Sequence, residues 1–148
     1  MKWIIRGILI LWAAFFGLTG LQGLLAQAPY FELFGITGDA TAINTIRADL
    51  SAFFLVAAGG ALFGALRPGA SRALLVPAAL FGTALLGRAL GVLVLGDTLT
   101  AAITQAMLAE AISVALMLGA MWQFSRDETG KVMADPAAGQ GAPGQSLP

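Results

Sequence analysis

Four apolar stretches divide the chain, at about 7–26, 48–66, 73–95 and 101–124. Each is close to the ~20 residues needed to cross a ~30 Å hydrocarbon core. Aliphatic side chains, Phe, Ala and Gly fill them with no polar stripe, the pattern of helices surrounded by lipid and by one another. The period-2 alternation of a membrane barrel strand is missing. The pattern predicts an all-α membrane protein, a four-transmembrane-helix bundle spanning 1–126, followed by a disordered tail from 127 to 148 that is rich in Gly, Pro, Ala and Gln.

The connections carry their own chemistry. Arg67-Pro68-Gly69-Ala70-Ser71-Arg72 reads as a tight turn whose Pro and Gly end the second helix. The segment 28–46, with Pro29, Tyr30, Phe31 and Phe34, reads as a loop dipping along the membrane surface. Tyr30, Trp3, Trp12 and Trp122 fit the interfacial preference of aromatic residues, Trp12 sitting deeper than that preference asks. A secretory signal peptide cleaved near Ala26-Gln27-Ala28 competes for the first span. Its apolar run of about 20 residues, against the 7–15 of a signal peptide, and the following Pro29 argue for a retained helix.

Composition agrees with this solvent. Of 148 residues, 58% are hydrophobic and 11% charged, against about 25% charged in soluble domains. Net charge is zero, so no global field favours nucleic acid. Without His or Cys, the chain lacks disulfides, thiolate zinc or iron–sulfur ligation, imidazole haem ligation and the usual catalytic bases. A non-enzymatic protein without cofactor or metal is expected.

Charge position gives orientation. Lys2, Arg6, Arg67, Arg72, Arg126 and Lys131 all fall on one side, while the loops 28–46 and 96–100 hold Glu32, Asp39 and Asp97 and no cation. Cytoplasmic loops carry the positive excess. Both termini are therefore expected in the cytoplasm, with the protein multi-pass in a bacterial inner membrane.

The informative residues are those a bilayer should exclude, since a charge at mid-helix costs about 2.5–3.5 kcal/mol on insertion scales. Arg47 and Asp49 start the second helix, Arg88 lies in the third and Glu110 in the fourth. With a ~1.5 Å rise per residue, Arg88 lies about 10 Å and Glu110 about 13 Å below the outer surface, close enough in depth to pair. The four charges sum to zero, as a low-dielectric site requires. Gln22, Gln27, Asn44, Ser51, Thr104 and Gln105 collect at similar depth, so polarity is segregated to one leaflet. Two readings stay open: a structural ion pair fixing helix register, with Arg47–Asp49 as a solvated collar, or a pocket open to the outer leaflet.

Small residues add packing signals. Gly60 and Gly64, and Gly87 and Gly91, have GxxxG spacing, and Gly17, Gly20 and Gly23 form a stripe on the first helix. Such spacings let helices approach within one chain or in a homodimer. Gly87 and Gly91 also flank Arg88 and offer room for its guanidinium.

The Ile46-Arg47 start of the second helix, Gly87-Arg88 in the third and Leu108-Ala109-Glu110-Ala111 in the fourth resemble a bacterial family of uncharacterised four-helix membrane proteins, similar in layout to DoxX-like proteins. Where that family has a Gly pair after the helix-two Arg, this chain has Ser51-Ala52. The resemblance implies that Arg47, Arg88 and Glu110 belong together and implies no reaction. The functional expectations are a cluster binding a small anionic, lipid or quinone-like ligand, with Arg47 and Arg88 as donors and Asp49 and Glu110 as counter-charge. Alternatives are an accessory subunit docking a membrane-complex partner and, offering less room for alternating access, a proton-coupled carrier.

Overall fold

The structure, a computed structural model, describes residues 2–25 and 27–134, with side chains for all of these except 27–29, 33 and 127–134. Every element among the described residues is helical: α1 (Lys2–Leu25), α2 (Gln27–Phe34), α3 (Ala40–Leu66), α4 (Leu75–Leu90) and α5 (Ala101–Ala134). A 3-10 turn at Ser71–Leu74 leads into α4 and a π-helical turn at Gly91–Leu95 continues it. Four segments are long and apolar enough to cross a membrane: Lys2–Leu25, Ala40–Leu66, Ser71–Leu95 and Ala101–Arg126.

The helices are longer than the apolar runs because a helix does not end where the hydrocarbon does. α3 begins eight residues before the apolar run, where Asp39 accepts a hydrogen bond from the Ala42 N–H (2.8 Å) and caps the free donors of the first turn. The segment 28–46 is therefore not one loop. It holds α2, a turn at 35–38 containing the positive-φ glycines Gly35 and Gly38, and the first turns of α3. At the other end, α5 continues through 127–134, which corrects the expectation of a disordered tail for those residues. Glu128, Lys131, Met133 and Ala134 are good helix formers, and the first strong breaker is Pro136. Residues 135–148 lie outside the described residues.

Two closely packed helix pairs, α1 with α3 and α4 with α5, make the bundle. The glycine stripe of α1 faces α3: a Cβ at Gly20 would meet Leu55 Cγ at 2.9 Å and the Ser51 carbonyl oxygen at 3.0 Å. Gly60 and Gly64 of α3 face the start of α4, where added Cβ atoms would meet Pro77 Cδ at 3.0 Å and Leu74 Cγ at 2.8 Å. Pro77 sits in the first turn of α4, where its missing N–H leaves no helix bond unmade. Both glycine sets thus serve close approach within the chain.

Contacts define the two ends. Arg6 lies over the Phe124 ring (5.6 Å to the centroid) and Ser71 Oγ is 3.3 Å from Ser125 Oγ, which puts the start of α1, the Arg67–Ser71 turn and the later part of α5 together. This is the turn end. Opposite is the α2 end, where Tyr30 packs over Gly23 and Ser51. A core of small and aliphatic residues (Leu9, Ala61, Ala65, Leu74, Met117 and Ala120 among them) closes the turn end. A second cluster around Phe54, Ala57 and Phe81 lies toward the α2 end.

The interfacial aromatics divide. Trp3 and Trp122 are exposed, Trp3 beneath the guanidinium of Arg6 (5.2 Å) and Trp122 beneath that of Arg126 (4.8 Å), as interfacial side chains should be. Trp12 and Tyr30 are not interfacial. Trp12 packs against Phe16 and Phe81 and donates from Nε1 to Ser113 Oγ (3.0 Å), the buried partner that lets an indole sit at mid-bundle. Tyr30 is fully buried.

Candidate functional site

Glu110 occupies the inward face of α5, one turn before Ser113, and is only 6% exposed. Arg88 stands opposite on α4 and donates from Nε to Glu110 Oε1 at 2.9 Å. The pair that depth arithmetic suggested is present, and it is the ion pair the structure forms among the described residues. Its two halves differ. The Arg88 side chain is 44% exposed and that of Glu110 8%, so the anion carries most of the desolvation. The contact is single rather than forked, and Glu110 Oε2 is buried with no hydrogen-bond partner among the described residues.

Beside this pair lies a cavity of about 640 Å³. Its α3 wall is Asp49, Leu50, Phe53 and Phe54; its α4 wall is Phe81, Ala84 and Arg88; Glu110 contributes from α5. Phe34 to Thr37, leading out of α2, cover the remaining side. The Phe rings touch one another, Phe34 to Phe54 at 5.6 Å, Phe53 to Phe54 at 5.3 Å and Phe53 to Phe81 at 5.0 Å between centroids. Such a space, mostly apolar with a few convergent polar groups, has the size and lining of a small-molecule site.

The rest of the expected cluster does not assemble. Arg47 and Asp49 are two apart on one helix and point to different faces. Arg47 donates instead to Asn44 Oδ1, one turn back, at 2.7 Å, and does not line the cavity. Asp49 does line it, without a cation within ion-pair distance. Arg47 and Asp49 therefore form no ion pair with each other among the described residues, and the expectation that Arg47 belongs with Arg88 and Glu110 is corrected. Half-buried Gln22 and exposed Gln105 are not among the cavity residues. The Gln27 side chain lies outside the described residues. Thr104 bonds back to the Thr100 carbonyl oxygen (3.0 Å), a helix-start contact. Gly87 and Gly91 are not a packing face. A Cβ at Gly87 would meet nothing within 4 Å, and the space over Gly91 is filled by the Asp97 carboxyl.

Ser51 has a different role from the one its depth suggested. Its Oγ and the Tyr30 hydroxyl are buried over Gly23, and among the described residues neither has a partner in good hydrogen-bond geometry. Burial pushes the Tyr30 phenol above its ordinary range, and the nearby Ser51 hydroxyl counters this only in part.

The aromatic wall was missed in the sequence, although Leu50, Phe53 and Phe54 have the i, i+3, i+4 spacing of one helix face and Asp49 stands beside them. In a helix apolar on all sides that spacing does not stand out, and only the charge at its edge marks the face. Comparison with protein-family models, curated proteins and solved structures finds no match to this chain.

Proposed function

We propose that the protein is a non-enzymatic binding protein of the membrane, whose cavity at the α2 end holds a membrane-borne amphiphile, lipid or quinone-like, with its polar end against Arg88 and Glu110. One observation carries the reading: a phenylalanine-walled space of about 640 Å³ ends on an ion pair whose cation is nearly half exposed. Arg88 has donor capacity beyond Nε, since a guanidinium offers five N–H groups. A purely structural pair needs no cavity beside it.

The geometry weighs the alternatives. An anionic ligand is disfavoured, because Arg88 is the cavity's one cation and Asp49 and Glu110 are both in its lining. The accessory-subunit and homodimer readings have less motif support, because Gly60 and Gly64 are occupied by Pro77 and Leu74 of the same chain, while Gly87 faces open space. The resemblance in layout to DoxX-like proteins joins Arg88 and Glu110 and leaves the ligand open. The basic turn end faces the cytoplasm in this reading, by the positive-inside rule, in a bacterial inner membrane. A reporter fused after Pro148 that proved periplasmic would reverse the orientation.

The test is native mass spectrometry of the protein released from gentle detergent. A bound amphiphile is expected on the wild type and absent from Ala84→Phe, which puts a ring into the cavity one turn from Arg88. Retention of the same adduct by Ala84→Phe would place the ligand elsewhere and refute the proposal.

A further inference from the structure

We infer that the occupant of this cavity is an organic cation: a positively charged ammonium- or phosphonium-type group on an apolar or aromatic body. The inference rests on the cavity being a binding site and adds the sign of the ligand's charge.

Formal charge comes first. The lining contains Asp49, Glu110 and Arg88, leaving one negative charge in excess, and the excess resides at Asp49, which has no cation within ion-pair distance. Arg47, two residues away, is turned from the cavity by its bond to Asn44. Asp49 is itself exposed, so its pull on a cation is moderate, and the apolar walls beside it add burial of the cation's body.

Two carboxylates alone would not make a site, and two further observations point the same way. Glu110, more than nine-tenths buried in the cavity wall, keeps Oε2 without a donor among the described residues, so one of its two oxygens is left free to accept. The walls themselves are aromatic: Phe34, Phe53, Phe54 and Phe81 surround the space. Ring faces carry the negative end of the aromatic quadrupole, and they hold quaternary cations that have no N–H to donate. Carboxylates at the edge with phenyl rings around the body suit a lipophilic cation better than a neutral ring or an anion.

Tetraphenylphosphonium and tetraphenylborate, nearly equal in shape and opposite in charge, provide the test. Binding is measured by calorimetry on the full chain in a non-ionic detergent. Saturable one-to-one binding of tetraphenylphosphonium is expected, with no binding of tetraphenylborate. Asp49→Asn should weaken it about tenfold or more, and Ala84→Phe should abolish it. Asp49 is exposed and unpaired, so its amide variant leaves the fold intact. Equal or tighter binding of tetraphenylborate, or no effect of Asp49→Asn, overturns the inference. If a short-chain benzoquinone binds in an Ala84→Phe-sensitive manner while tetraphenylphosphonium does not, the charge inference falls and the binding proposal stands. If neither probe binds and no adduct is retained, both fall. Nanodiscs separate the two sources of such a cation: phosphatidylethanolamine in place of phosphatidylglycerol displaces the probe if the natural occupant is a lipid headgroup. It leaves the probe bound if the occupant is a free cation.

Discussion

At the turn end, Arg6, Arg67 and Arg126 each lie over an aromatic ring, between 4.8 and 5.6 Å from its centroid. At the α2 end, Arg88 is instead held by a buried carboxylate. The packing differs in the same way. Between the turn-end halves of the helices, Gly, Ala and Leu allow close approach, and Gly64 sits directly on Leu74. Toward the α2 end, α1 still closes on α3 through Gly20 and Gly23, but α3 and α4 part around four Phe side chains and the ion pair, and the space between them stays open. One half of the bundle is thus packed throughout, and the other holds an open space beside a charged pair.

The largest effect should come from breaking the ion pair on one side. Arg88→Ala leaves Glu110 buried and unanswered. Removing one partner of a buried pair costs about 3–5 kcal/mol, and because Arg88 is itself partly solvated, about 3 kcal/mol is expected. Glu110→Ala should cost less, since the freed guanidinium can turn toward water. The double change Arg88→Met with Glu110→Leu should cost less than Arg88→Ala alone. Reversible unfolding in mixed micelles measures all three. If Arg88→Ala unfolds like wild type, Glu110 is not charged against Arg88 and the contrast between the ends loses its centre.

Next in size is a pair of enlargements, one at each end. Gly64→Val places a methyl-bearing carbon where Leu74 already lies at 2.8 Å and should cost about 2 kcal/mol by overpacking. Ala84→Leu at the cavity wall should change stability by less than about 0.5 kcal/mol, because empty space receives it. Equal losses at the two positions in the same unfolding measurement would mean that the cavity collapses in the membrane.

Where the ends meet, Trp12 of α1 donates to Ser113 of α5. Ser113 in turn donates to the Ala109 carbonyl oxygen at 2.7 Å, so its hydroxyl is used twice. Ser113→Ala strands the indole N–H and should cost about 1–2 kcal/mol. Trp12 fluorescence should also shift if the indole relocates. A cost near zero with an unchanged spectrum would show that this bond does not join α1 to α5.

How legible this division was follows from the kind of signal each part leaves. Four spans are visible because lipid imposes a minimum apolar length on every crossing helix. Arg88 and Glu110 were visible as partners because a rare intramembrane charge and a known rise per residue suffice to compare depths. Arg47 misled because depth does not say which face a side chain takes, and two residues along a helix is just over half a turn. The Phe wall left little trace, since in a uniformly apolar helix the lipid face and the cavity face use the same residues. α2 was hidden because its eight residues are too few to span and too mixed to show a period. Tyr30 read as interfacial because its amphipathic ring suits a headgroup, while its real position depends on the absent side chain at Gly23.

Tyr30 also gives the smallest and most discriminating expected effect. Its ring is fully buried over Gly23, and its hydroxyl makes no hydrogen bond of good geometry among the described residues. A buried polar group left unpaired costs about 1–3 kcal/mol, so Tyr30→Phe, which keeps the ring, should be neutral or stabilising by up to about 1 kcal/mol. Ser51→Ala should also cost little, because Ser51 Oγ makes no hydrogen bond of good geometry among the described residues, its weak approach to Tyr30 included. Alkaline titration separates burial from simple loss of a hydroxyl. The Tyr30 phenol is raised above 10.0 in the folded protein by burial, so the folded state holds this proton more tightly than the unfolded chain. Its contribution is fully present below pH 10 and is lost as pH rises from there through the raised folded value. Tyr30→Phe should therefore lose less stability than wild type between neutral pH and pH 11, while the two behave alike from pH 6 to 9. If Tyr30→Phe is instead destabilised by 1 kcal/mol or more at neutral pH, the hydroxyl has a partner, and α2 is fastened to α3 by a hydrogen bond rather than by the fit of a ring over a glycine.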